Sequence, residues 1–140
     1  MKRSGIAVCA LVLVAIATSL RADEIDPSGI WKWVDDPTRE SIETNELTLK
    51  REGNQLTGSL FKYNSEFPRL AKSAQNQIRR NITRKISDGT IQDGEISFKI
   101  VRSFNGRKSV TTYTGKVEGN LLKGKIGSGK NARDWEATKQ

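Results

Sequence analysis

Three acidic pairs have residue types that could do acid–base chemistry: Asp35-Asp36, Glu40-Glu43 and Asp134-Glu136. A glycosidase needs two such carboxylates facing a sugar, about 5–10 Å apart. The first two pairs lie in one loop-forming segment and the third near the last apolar stretch, where solvated loop and turn acids explain them more simply. The segment GSGKN at 127–131 has the glycines and lysine of a phosphate cradle, but it lacks the full G-x-x-x-x-G-K-[S/T] spacing and no helix is expected after it. It reads as a flexible hairpin loop. The chain has no histidine, and its one cysteine, Cys9, falls in the first 22 residues. Ser-His and Cys-His nucleophile pairs and His/Cys zinc sites are therefore excluded from the remainder. The expectation is a protein that is not an enzyme and that uses no metal or cofactor.

The basic residues are a better lead. Residues 64–81 carry Arg69, Lys72, Arg79 and Arg80 against Glu66, and Arg107, Lys108, Lys130 and Arg133 follow in later connecting segments or at their strand edges. Asp35, Asp36, Glu40 and Glu43, against Arg39, offset part of this charge. The excess suits an anionic polymer or an acidic partner protein, or else is simply a solvated loop surface. Base-stacking aromatics are nearly absent there, Phe67 and Phe104 being the exceptions, so nucleic acid is not an expected partner.

The start of the chain, MKRSGIAVCALVLVAIATSLRADE, has the form of a secretory signal peptide: Lys2 and Arg3, an uncharged, largely apolar run from Ile6 to Leu20, then Ala22 before Asp23. The run is short for a membrane span, which makes a retained anchor the weaker reading. Cleavage after Ala22 divides the chain into a leader, 1–22, and one domain, 23–140, exported to the periplasm or secreted, monomeric and free of the membrane. That domain has no cysteine, so packing and backbone pairing must hold it together.

Two stretches of it nearly repeat. EGNQLTGSL at 52–60 and EGNLLKGKI at 118–126 share E-G-N-x-L-x-G. Gly53-Asn54 and Gly119-Asn120 each separate two alternating apolar runs, which predicts hairpin turns. Asp93-Gly94 makes a third turn by the same logic, and Asp88-Gly89 a bulge within a strand. Period-2 alternation predicts eight strands: 29–35, 45–51, 55–63, 82–91, 95–103, 108–117, 121–126 and 132–138. Outside the leader only 68–80 shows helical spacing, through Leu70, Ala74 and Ile78. Tight turns after strands two, four and six alternate with longer connections at 36–44, 64–81, 104–107 and 127–131. In an up-and-down meander this collects the tight turns at one end and the long loops at the other. Eight antiparallel strands so arranged can close into an all-β barrel, which removes exposed edges; an open sandwich is the alternative.

Gly29-Ile30-Trp31, at the start of the first strand, resembles the G-x-W signature of the calycin barrels, which include the lipocalins and their avidin-like relatives. The resemblance implies an eight-stranded barrel with Trp31 inside its closed end. In that family a late Arg or Lys commonly packs across the Trp, and Lys139 is the basic residue at the matching position. DGEISF, YTGKVEG and RDWEATK are also similar to segments of small secreted proteins of planctomycete-type bacteria, which implies a fold and no activity.

The inward parity assigns Trp31, Trp33, Leu47, Leu49, Leu56, Leu60, Ile82, Ile96, Phe98, Ile100, Tyr113, Val117, Leu122, Ile126, Trp135 and Ala137 to the interior, with Gly58, Gly115 and Gly124 on the same face. Trp31 and Trp135 are expected side by side. The glycines either make room for tryptophan rings or leave space for a guest. Two functions follow. The first is a non-catalytic module taking a small, partly apolar ligand at the long-loop end. The second is a surface-interaction protein whose rim of Arg69, Lys72, Arg79, Arg80, Arg107 and Arg133 meets an anionic polymer or partner protein.

Overall fold

The computed structural model describes residues 25–40 and 42–140; the leader lies outside the described residues. Alternating apolar residues form β1 (Gly29–Val34), β2 (Glu43–Glu52), β3 (Gln55–Asn64), β4 (Arg84–Lys85), β5 (Ser87–Gln92), β6 (Glu95–Phe104), β7 (Arg107–Glu118), β8 (Leu121–Ile126) and β9 (Arg133–Lys139). β4 and β5 are two halves of one strand, so the sheet has eight staves. Every neighbour pair is antiparallel, and β1 pairs with β9 as well as β2, which closes the barrel. The break between β4 and β5 has a physical cause. Asp88 adopts φ 50°, and the ladder to β6 slips between Ser87 and Thr90. This bulge turns both Ile86 and Ile91 toward the core, although strict alternation would put them on opposite faces.

Gly53 and Gly119 open their two-residue turns at φ 62°, while the asparagines beside them stay at negative φ. The repeat thus marks hairpin turns with glycine in the first central position. These turns and the Asp93-Gly94 turn gather with both ends of the described chain at one end of the barrel. Ile91 N–H donates to Asn54 O, Val117 N–H to Gly94 O and Lys139 N–H to Asn120 O, tying the end together.

The interior is filled by side chains. Trp31, Leu47, Phe98, Leu122 and Ala137 have no exposed surface, and of the residues assigned to the interior only Ile82 lies outside it. Ile82 ends a helix, α1 (Lys72–Ile82), because the chain stays helical two residues longer than its apolar spacing indicated; Ile91 joins the core, a position the alternation had passed over. Three glycines on the inward face make no space for a guest. A Cβ on Gly58 would lie 1.9 Å from Thr48 O, and one on Gly124 1.8 Å from Thr114 O. The backbones of coiled neighbouring strands occupy that space.

Trp31 sits at the closed end, its indole N–H donating to Pro27 O at 2.8 Å. Lys139 lies opposite it in the ladder and places its ammonium 5.7 Å from the ring centroid. The lysine clasp is present. The expected Trp31–Trp135 pair is replaced by Trp33–Trp135, with ring centroids 4.8 Å apart, because the β1–β9 register sets Trp31 against Lys139 and moves Trp135 toward the other end.

α1 follows a short 3-10 turn (Phe67–Arg69) and packs on the outside of β3. Phe61 points outward from β3 and is nonetheless buried, because Phe67 covers it edge-on at 4.9 Å. The barrel therefore has a small second apolar cluster on its outer wall, built from Phe61, Tyr63 and Phe67.

Candidate functional site

The long-loop end is closed by rings and topped by charge. Trp33 meets Trp135 and Tyr113, and Tyr113 stacks on Phe98 at 4.9 Å with an 8° interplanar angle. The Trp135 indole donates to Thr114 O at 2.9 Å, which fixes its plane. The five interior aromatics selected from sequence, Trp31, Trp33, Phe98, Tyr113 and Trp135, are thus all buried, four of them forming this plug. Burial raises the Tyr113 phenol above its ordinary range, with Arg102 and Arg133 pulling weakly the other way, so it remains a neutral hydroxyl.

Above the plug, Asp35 is the hub of a polar cluster. Its carboxylate accepts from the Trp33 indole at 3.2 Å and from Lys62 at 2.7 Å, with Arg133 at 3.9 Å; Lys62 also reaches Glu43 at 3.1 Å. Burial alone would raise the Asp35 pKa, but the bonds from Lys62 and Trp33, with the Asn45 amide turned toward it, hold it below its ordinary 3.8. Burial likewise works against the Lys62 charge, and its bonds to Asp35 and Glu43 reverse that effect. Asn45 lies opposite both Trp33 and Lys62 in the ladders, buried, with its amide nitrogen turned toward Asp35 yet not within ordinary hydrogen-bond distance of a partner. Asp35, Asp36, Arg39, Glu43, Lys62 and Arg133 line an open cup of about 430 Å³. Three acids and three bases largely neutralise one another there.

The unneutralised charge lies elsewhere. β6 and β7 are joined by a two-residue turn, Asn105-Gly106, with φ 48° and 74°, where a longer loop was expected at 104–107. Both residues favour positive φ, and the hairpin continues past the barrel as a two-stranded ribbon whose residues 101–110 are all exposed. Arg102, Arg107 and Lys108 lie on it and make no ion pair among the described residues. Phe104, 79% exposed, is at its tip.

The six rim residues chosen from sequence are distributed over four elements. Arg107 is on the ribbon and Arg133 at the cup. Arg69 is in the 3-10 turn, paired with Glu66 at 3.3 Å, and Lys72, Arg79 and Arg80 are on α1, on the outer wall. Arg79 has a packing role: its guanidinium lies 4.4 Å above the Phe61 ring and 2.9 Å from Glu46. Arg102 escaped selection because alternation placed it inside a strand, and only the ribbon's extension beyond the barrel exposes it. Of the carboxylate pairs, Asp134 and Glu136 face Lys125 and Lys123 across the β8–β9 ladder, and Asp36 caps Thr38. Asp35, Asp36 and Glu43 share the cup, where Arg39, Lys62 and Arg133 stand among them.

Compared with family models, with curated proteins and with solved structures, the chain matches none of them.

Proposed function

We propose that the protein is an exported, non-catalytic interaction module that binds an anionic partner through the open end of its barrel. One observation carries this reading: a ring plug fills the end through which a small guest would enter, while Arg102, Arg107 and Lys108, which make no ion pair among the described residues, project beyond it on the β6–β7 ribbon. The Gly29-x-Trp31 start and the Lys139 clasp support a place among calycin-like barrels. A small, partly apolar ligand is the second reading, favoured by the cup over Trp33 and by the unpartnered Asn45 amide; such a ligand would rest on the plug instead of entering the core.

Two charge-matched variants test the first reading on a sulfated-polysaccharide column. Arg102→Gln/Arg107→Gln/Lys108→Gln should elute at clearly lower salt than the parent, because fewer condensed counterions are released on binding. Lys50→Gln/Lys99→Gln/Lys123→Gln removes three strand-face charges already paired with Glu52, Asp88 and Glu136, and should shift elution much less. Equal shifts, or no retention of the parent near physiological salt, would contradict an open-end site.

A further inference from the structure

The barrel wall is incomplete at its open end. β3 runs on to Asn64 and β6 to Phe104, but the stave between them begins only at Arg84: the β3–β4 ladder stops at Leu60↔Arg84, and the β5–β6 ladder at Ser87↔Lys99. Above the level of Arg84, Phe61–Asn64 on β3 and the end of β6 beyond Arg102 have no strand on their facing edges among the described residues, and Ile100–Arg102 lie beside β4 without a ladder to it. Lower down, one strand fills the same interval. A cavity of about 350 Å³ lies between α1 and the ends of β2 and β3, lined by Glu43, Tyr63, Asn64, Phe67, Ile78 and Ile82. Around the gap Ile82, Val101 and Phe104 are all at least 40% exposed.

Unpaired N–H and C=O groups in a row are a template for another extended chain, and native sheets ordinarily cover or shorten such edges. Here the edge lies next to Arg84 and Arg102, with Arg107 and Lys108 on the partner strand, and no acidic residue occurs between 97 and 117. A second copy would bring the same positive charge to the same place, whereas an acidic segment would be attracted. We propose that the anionic partner is an extended acidic polypeptide, which continues the line of β4 up the open wall between the end of β6 near Phe104 and the Phe61–Asn64 edge of β3. Backbone pairing would supply register. Alternate apolar side chains would cover Val101 and Ile82, and acidic ones would meet Arg84 and Arg102. The inference rests on the open-end reading above and narrows it to one kind of partner.

Two fluorescein-labelled probes separate the possibilities: the alternating peptide acetyl-Glu-Val-Glu-Val-Glu-Val-Glu-amide, and the same peptide with its central Val replaced by Pro. The second keeps the charge but cannot pair along its length. The alternating peptide should bind at least about tenfold more tightly, protect amides on the Phe61–Asn64 edge and at the end of β6 near Phe104 from hydrogen exchange, and lose at least about tenfold in affinity to Arg102→Glu/Arg107→Glu/Lys108→Glu. Near-ultraviolet circular dichroism of the tryptophans confirms that the variant is folded. Equal affinity for both peptides, lost in the variant, would overturn strand addition while leaving an anionic partner in place. Binding of neither peptide, with the sulfated column still retaining the protein, would overturn it too. If peptides and column both fail, the broader reading falls as well.

Discussion

At the scale of single residues, Trp31 and Asp35 hold opposite ends of the barrel. Trp31 is fully buried, satisfied by Pro27 and covered by Lys139. Replacing it with Ala should cost about 3–5 kcal/mol by the loss of a large core ring, enough to unfold a domain of ordinary stability. Lys139→Ala should cost only about 0.5–1 kcal/mol, the worth of a partly exposed cation–ring contact. Urea unfolding followed by tryptophan fluorescence measures both, and a near-neutral Trp31→Ala would remove the basis for the calycin resemblance. Asp35 makes a prediction about pH. Its folded pKa lies below 3.8, so its contribution is fully present above that value and is lost as pH falls through the folded pKa. Thermal melts between pH 6 and pH 2.5 should therefore show a steeper acid loss in the parent than in Asp35→Asn, which starts lower. Parallel curves would show that the Lys62 and Trp33 bonds do not favour the ionised form. The Trp31–Lys139 contact was legible only through the resemblance to calycin barrels, since inward parity alone set Trp31 beside Trp135. The Asp35 cluster was not, because its partners come from three strands and the register decides that they meet.

At the scale of elements, turn chemistry was the most readable signal. Gly53 and Gly119 fixed two hairpins, and Asp88-Gly89 fixed the bulge. The same signal at Asn105-Gly106 was obscured by the charged and polar residues around it, which resemble a loop while forming a ribbon. α1 was half visible. Its Ala74 and Ile78 spacing showed a helix, but that its base would be an aromatic cluster on the outer wall could not be read from alternation, which treats Phe61 as solvent-facing. Arg79→Ala removes both the cation over Phe61 and the ion pair with Glu46, and should destabilise by about 1–2 kcal/mol. Arg80→Ala, on the exposed side of the same helix, should stay within about 0.5 kcal/mol. Equal effects would mean that Arg79 does not anchor the helix. Gly124→Ala tests the strands themselves. Its methyl would meet the Thr114 carbonyl and the Gly115 backbone, so it should lose more than the roughly 1 kcal/mol expected at Gly53, where the space is open and only the backbone conformation is strained.

At the scale of the whole molecule, the proposed interaction surface lies apart from the parts that hold the fold. The closed end ties turns and termini together around Trp31, the middle is packed solid, and the open end carries a neutralised cup, an unpaired stretch of wall and a basic ribbon. A site at the open end differs from a site on α1, and from a guest in the core, in where bound ligand is felt. Amide chemical shifts recorded while a sulfated oligosaccharide is added distinguish the three in one titration. Perturbation concentrated at residues 100–110 and around Arg133, leaving Trp31 and the 72–82 amides unmoved, is the expected result. Perturbation centred on α1, or spread through the interior strands at Trp31, Phe98 and Leu122, would contradict an open-end interaction module.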